Sequence, residues 1–112
     1  MLEAKSCVPC QRGGPTLPAE EAINLGKEAP EWEIFDNYSK IQRRYEFPNY
    51  VKSLEFVNKV GELCESEGHH ADITFGWGYC SVLFYTHKIK GLHENDFIMA
   101  VKTDEIYRTE TA

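Results

Sequence analysis

Three histidines frame one apolar stretch of the chain, EGHHADITFGWGYCSVLFYTH, at residues 67–87. His69 and His70 stand side by side near its start, and His87 stands at its end. Because free imidazole titrates close to neutral pH, such a group can hold a proton donor and a proton acceptor at the same time. The residue types are therefore suited to acid–base catalysis.

A metal site is a competing interpretation of the same residues. Imidazole is a common zinc ligand, and Cys64, Glu65 and Cys80 lie near in sequence. However, adjacent side chains diverge by about 100° on a helix and face opposite sides of a strand, so His69 and His70 would not readily share one ion. A third interpretation is a polar helix end with solvated histidines. We expect no metal at this position.

The apolar pattern predicts the elements that position these histidines. They are a helix at 18–29, strands at 32–36 and 40–47, a helix at 50–67, strands at 72–77 and 80–87, and a closing helix within 91–108. Strands joined as hairpins favour an antiparallel sheet, and helices that cross between hairpins cover one of its faces. The predicted fold is α+β, a two-layer sandwich with a four-stranded antiparallel sheet, helices on one face and the order αββαββα. Its second hairpin would return His87 beside His69 and His70.

Composition limits the classes of function. The chain has 112 residues, 42% of them hydrophobic, with a formal net charge of -6 and no basic cluster beyond Arg43-Arg44. This balance predicts one small domain that does not bind nucleic acid. No apolar run approaches the roughly 18 residues that cross a bilayer, and the first residues lack an apolar signal segment. We therefore expect a cytoplasmic protein without membrane contact.

The first residues differ in character from the rest. Pro9, Gly13, Gly14 and Pro15 interrupt regular structure, which predicts a flexible arm at 1–16 ahead of a folded domain at 17–112. The arm contains Cys7-Val8-Pro9-Cys10, a CxxC pattern. No strand and helix flank it and no second CxxC exists, so we interpret it as non-catalytic, with metal binding or a disulfide between subunits as the alternatives. Within the chain we expect the cysteines to be reduced.

Three parts of the sequence together resemble the pterin-4a-carbinolamine dehydratases, also called dimerisation cofactors of a homeodomain transcription factor. They are Trp32, RRYEFPNYVKSLEFVNKVGELCESEGHHADI at 43–73 and YTHKIKGLHENDF at 85–97. The resemblance covers about residues 17–106. Its most specific features are Glu65 four residues before His69, the His69-His70 pair, Thr86-His87, and Gly91-Leu92 followed by Glu94 and Asp96.

The resemblance implies dehydration of 4a-hydroxytetrahydropterin to quinonoid dihydropterin, which recycles the pterin cofactor of aromatic amino-acid hydroxylases. It implies that His69, His70 and His87 line the pterin pocket, with Glu65 and Asp96 binding substrate or orienting the imidazoles. We expect His70 and His87 to transfer protons and His69 to contact the pterin and its hydroxyl. Pterin is then the substrate, and no metal or other cofactor is required.

Other interpretations of the two carboxylates remain open. Glu65 could be a solvated carboxylate at a helix end, and Asp96 a first-turn charge favoured by the helix dipole. The chain also departs from the family. Ala71 replaces the usual proline, so His70 would be held less firmly, and His93 replaces the usual threonine or serine, which predicts a weak helix cap or a fourth imidazole at the rim.

The partners expected beyond the pterin are proteins. A sheet covered on one face leaves the other face and two strand edges exposed to solvent. Self-association could cover them, which favours a homodimer or homotetramer. The resemblance implies functional coupling to an aromatic amino-acid hydroxylase. It also carries an alternative function, because some family members are protein-binding coactivators or assembly modules built on the same fold.

Overall fold

The computed structural model of the protein describes residues 2–7 and 15–111. The elements are α1 (Ala19–Gly26), β1 (Glu33–Phe35), β2 (Lys40–Glu46), α2 (Tyr50–Glu67), β3 (Asp72–Gly76), β4 (Tyr79–Phe84) and α3 (Glu94–Thr111), with one 3₁₀ turn at Leu2–Ala4. The strands form one antiparallel sheet in the order β1-β2-β4-β3. The predicted α+β class and the order αββαββα are confirmed.

The core lies between the sheet and the helices, and strand alternation explains how it forms. On β4, Cys80, Val82 and Phe84 are buried, whereas the residues between them are partly exposed. Phe56 of α2 and Phe97 of α3 are buried in the same cluster. Full burial of a side chain such as Val82 or Phe84 stabilises the fold by about 1.5–3 kcal/mol.

Both ends of α2 are set by local chemistry. At its start the Asn49 side chain accepts a hydrogen bond from the Lys52 N–H at 2.9 Å. At its end Gly68 adopts a left-handed φ of 65°, and the His69 N–H donates to the Cys64 carbonyl at 3.1 Å. The predicted helix at 50–67 is confirmed, and His69 follows directly from its termination.

Several elements are shorter than the sequence predicts. The first helix ends at Gly26 instead of residue 29, and β4 ends at Phe84 instead of His87. The reason at β4 is a single bridge, in which the Thr86 N–H donates to the Gly91 carbonyl at 2.8 Å and the chain reverses between them. His87 therefore lies in a turn and not at a strand end, a correction to the predicted strand.

A buried carboxylate joins the sheet to α3. Asp104 Oδ1 accepts hydrogen bonds from Trp32 Nε1 at 3.0 Å, from the Tyr45 hydroxyl at 2.6 Å and from the Arg43 guanidinium at 2.8 Å. The guanidinium also lies 4.4 Å from the centre of the Tyr45 ring. Because this buried oxygen is paired with a guanidinium and accepts two further hydrogen bonds, part of the desolvation of the carboxylate is compensated.

Part of the predicted flexible arm packs on the domain. Leu2 is buried in the core cluster, Lys5 pairs with Glu94 at 2.9 Å, and the Cys7 N–H donates to Glu67 Oε1 at 2.8 Å. The free energy gained by burying an apolar side chain in the core offsets the conformational entropy that the segment loses when it becomes ordered. Residues 8–14, which include Cys10 and three of the four glycine and proline residues named above for the arm, lie outside the described residues. The interpretation of the CxxC pattern therefore stays a prediction.

Candidate functional site

Asp96, in the first turn of α3, is the centre of the site. Its side chain has no solvent exposure and accepts three hydrogen bonds, from His69 Nε2 at 2.7 Å, from the Thr86 hydroxyl at 2.8 Å and from the His93 backbone N–H at 2.9 Å. An acidic side chain with both oxygens occupied by donors is held in one orientation. The carboxylate therefore gathers residues from the end of α2, the end of β4 and the start of α3.

The contact with Asp96 also orients the ring of His69. An ionised carboxylate only accepts hydrogen bonds, so His69 Nε2 is the donor in this contact. The ring stacks on Phe84 with a centroid distance of 6.1 Å and an interplanar angle of 22°. The position and plane of the His69 ring are thus fixed by two contacts, as a base or a substrate contact requires.

His93 begins α3 as a helix cap. Its Nδ1 accepts a hydrogen bond from the Asn95 N–H at 3.0 Å, while its own N–H donates to Asp96 Oδ2. This reciprocal arrangement satisfies two helix-start N–H groups, as a capping box does. His93 therefore occupies the cap position with its ring nitrogen in place of the usual hydroxyl oxygen, and the strength of this cap stays a prediction.

His70 and Glu65 form a second, exposed pair. His70 Nε2 lies 2.6 Å from Glu65 Oε1, and the two side chains are 62% and 80% exposed. Water screens such a pair, so its contribution to stability is small. The contact positions His70 loosely at the point where the chain leaves α2.

His87 has a different environment from the other two predicted imidazoles. It is exposed in the turn after β4, and its ring centre lies 4.1 Å from that of Tyr85. Across residues 2–7 and 15–111, no hydrogen bond or ring contact joins His87 to His69 or His70. The link between the two ends of the second hairpin is indirect, through Asp96, which contacts both His69 and the neighbour of His87, Thr86.

The buried cysteines do not add to this site. In the described part of the chain, Cys64 and Cys80 are free thiols, and no three His, Cys, Asp or Glu side chains gather as a metal-binding group. Burial raises the pKa of the Cys64 thiol and raises the pKa of the Cys80 thiol to about 11. Both are therefore thiols at neutral pH and not the thiolates that bind metals. No helix within these ranges is long and apolar enough to cross a membrane.

Comparison with known proteins identifies the family. Residues 15–106 match the family model described as pterin 4 alpha carbinolamine dehydratase. A protein of Methylococcus capsulatus, provisionally named pterin-4-alpha-carbinolamine dehydratase, is 59% identical over 105 residues, which cover 94% of this chain and 92% of the relative. The chain belongs to the pterin-4a-carbinolamine dehydratase family. A second dehydratase-family protein with the same provisional name, from Azoarcus sp., is 52% identical over 94% of the chain and 90% of the relative.

Solved structures of this dehydratase family and its relatives share the fold. A transcriptional coactivator/pterin dehydratase from Brucella melitensis superposes with a TM-score of 0.77 at 23% identity, covering 82% of this chain and 98% of that one. A pterin dehydratase-like protein, described as a RuBisCO assembly factor in the alpha-carboxysome, gives a TM-score of 0.59 at 21% identity and covers 68% and 88%. At these identities the likeness concerns the fold alone.

Three residues make contacts in the site but were not among the site residues predicted from the sequence. Thr86 binds Asp96, Phe84 stacks on His69, and Tyr85 contacts His87. Strand alternation could have suggested the first two, because Phe84 at the end of β4 and Thr86 just after it share the inward face. The roles of His69, His70, His87, Glu65 and Asp96 toward a pterin stay predictions.

Proposed function

We propose that the protein dehydrates 4a-hydroxytetrahydropterin to quinonoid dihydropterin and water by imidazole acid–base catalysis, and so recycles the cofactor of aromatic amino-acid hydroxylases. One observation carries the proposal. In a chain of the pterin-4a-carbinolamine dehydratase family, a buried carboxylate, Asp96, orients the imidazole of His69. The same family membership supports a pterin substrate.

The reaction requires both an acid and a base. The hydroxyl on C4a is a poor leaving group until it is protonated, and it departs as water. The hydrogen on N5 must be removed as the C=N bond forms. A positioned side chain that transfers either proton typically contributes about 10² to 10⁴ in rate.

We assign the roles by the exposure and orientation of each imidazole. His69, oriented by Asp96, contacts the pterin and its hydroxyl. His70 and His87 are exposed, so each can return to its starting protonation state by exchange with water between turnovers. They are the proposed proton-transfer pair, and Glu65 orients His70.

The test is a carbinolamine dehydration assay on wild type and three variants. We expect dehydration that a chelator does not inhibit, a loss of about 10²-fold or more in Asp96→Asn and His87→Ala, and full activity in Lys88→Ala. Lys88 is the matched control because it is exposed in the same turn as His87. Thermal melting of each variant separates lost catalysis from lost folding, and wild-type protein without activity would refute the proposed reaction.

A protein-binding role is the second candidate, and exposed apolar side chains favour it. Trp77 is 70% exposed, and Tyr50, Val51 and Leu54 at the start of α2 are also exposed. Such side chains often mark an interaction surface. We propose self-association into a homodimer or homotetramer, and light scattering at micromolar concentration tests it. A monomer in that experiment would direct the search to other protein partners.

A further inference from the structure

A cavity adjoins the turn that carries His87. Its volume is about 550 Å³, and its walls are Thr16, Leu17 and Ala19, the β1–β2 turn at 36–39, and Lys90-Gly91. This size falls within the range of small-molecule sites, about 300–1,000 Å³. The walls are joined, because the Leu17 N–H donates to the Leu92 carbonyl at 2.9 Å and a Cβ on Gly91 would lie 2.5 Å from Thr16 Cγ2.

Backbone strain in the described chain is concentrated at this cavity. Left-handed φ values occur at four residues other than glycine: Asp36 at 54°, Asn37 at 57°, Tyr38 at 61° and Lys90 at 54°. All four line the cavity. Such conformations cost of order 1 kcal/mol or more each and cluster at ligand-binding sites. The cavity is therefore a strong candidate for a binding site.

Several hydrogen-bond donors of the lining have no acceptor in the described chain. Lys90 has no carboxylate partner within residues 2–7 and 15–111, and the N–H groups of Asn37 and Tyr38 donate no hydrogen bond there. The carboxylate in the wall, Asp36, is paired with Lys40 at 3.2 Å. A ligand rich in acceptor oxygens and carrying negative charge complements this lining.

Two sets of contacts link residues of the cavity wall to His87. Lys90 belongs to the same turn, where its N–H donates to the His87 carbonyl at 3.3 Å. Lys40, the partner of Asp36, lies 5.3 Å from the centre of the Tyr85 ring, and that ring contacts His87. A ligand that reaches His87 can therefore extend toward the donors of the cavity.

We infer that this cavity binds a phosphate or carboxylate group carried on the side chain of the pterin substrate. The inference rests on the proposed function, since it places the pterin ring at the imidazoles and the anionic end of its side chain at Lys90. It narrows the substrate class to pterins with an acidic side chain.

Two ligands that differ by one phosphate provide the test, dihydroneopterin and its monophosphate, with binding measured by calorimetry. Wild type is expected to bind the monophosphate about tenfold more tightly, because one charge-assisted contact is added. Lys90→Gln should abolish this preference and leave dihydroneopterin binding unchanged. Lys88→Gln, a change of the same charge in the same turn, should retain it. The preference should also weaken as salt is added.

Results that contradict the inference can be told apart from results that contradict the proposed function. Equal affinity of wild type for the two pterins would overturn the inference and leave the proposed function intact, whereas failure of both to bind would overturn the proposed function itself. Inorganic phosphate is the third probe, and its binding is monitored by NMR through the amide resonances of residues 36–39. If phosphate shifts them while the monophosphate shows no preference, the site takes a free anion and the assignment to the side chain is wrong. A melting curve confirms that Lys90→Gln is folded.

Discussion

The two oxygens of Asp96 serve different parts of the molecule. Oδ1 holds the ring of His69, while Oδ2 accepts from the Thr86 hydroxyl and from the His93 N–H at the start of α3. One carboxylate thus orients a candidate catalytic imidazole and helps to begin a helix. A change at this residue is expected to lower activity and stability together, and the melting control in the dehydration assay is needed for that reason.

The His93 cap can be tested separately from catalysis. His93→Ala removes the acceptor for the Asn95 N–H and is expected to lower the free energy of unfolding by about 1 kcal/mol. His93→Thr supplies a hydroxyl acceptor and should stay close to wild type. Urea unfolding of the three proteins gives the comparison, and equal stability of all three would mean that the ring nitrogen contributes nothing to the cap.

At the scale of elements, the end of α2 determines where the paired histidines lie. Gly68 has a φ of 65°, and a Cβ added there would meet no other atom within 4 Å. Gly68→Ala therefore tests backbone conformation alone, and its left-handed φ should cost roughly 1 kcal/mol of stability. Gly61→Ala is the matched control, since its Cβ also meets nothing and its φ is helical. We expect the control to be neutral or slightly stabilising in thermal unfolding, and a harmless Gly68→Ala would contradict this account.

The elements also mark how far the sequence could predict the structure. Both ends of α2 were predictable because Asn49 and Gly68 act through local contacts. The end of β4 was not, because it depends on a bridge between Thr86 and Gly91 that no propensity encodes. For the same reason, the hydrogen bonds of Asp104 were missed, since its donors Trp32 and Tyr45 are far away in sequence.

The candidate site was also predictable only in part. The residue types and order of the three histidines were sufficient to suggest their chemistry, and the resemblance to the family named the carboxylates. The central position of Asp96 required the tertiary structure, because it depends on how α3 packs against the ends of α2 and β4. Backbone geometry also made His93 a cap, which its side-chain type did not suggest.

At the scale of the whole molecule, burial of weakly acidic groups predicts sensitivity to alkali. The pKa of Cys80 is raised from 9.0 to about 11 by burial, so below pH 9 the thiol is protonated in both the folded and unfolded states. As pH rises from about 9 to about 11, only the unfolded chain loses this proton, and the free energy of unfolding falls by up to roughly 3 kcal/mol. Burial also raises the pKa of Tyr45, which acts in the same direction at higher pH.

Denaturant unfolding across pH 8 to 11 measures this effect, and Cys80→Ala is the diagnostic variant. It lacks the thiol, so its stability should decline less steeply than that of wild type over the same range. Parallel declines in the two proteins would show that Cys80 does not titrate as its burial requires.

The two tryptophans occupy opposite environments, and this difference gives the protein two optical probes. Trp32 is buried with its indole N–H bound to Asp104, whereas Trp77 is largely exposed beyond β3. Emission from Trp32 should be blue-shifted and shielded from a soluble quencher such as iodide, while emission from Trp77 should be red-shifted and readily quenched. With Trp77→Phe, fluorescence would report the docking of α3 on the sheet; with Trp32→Phe, it would report events at the surface around residue 77.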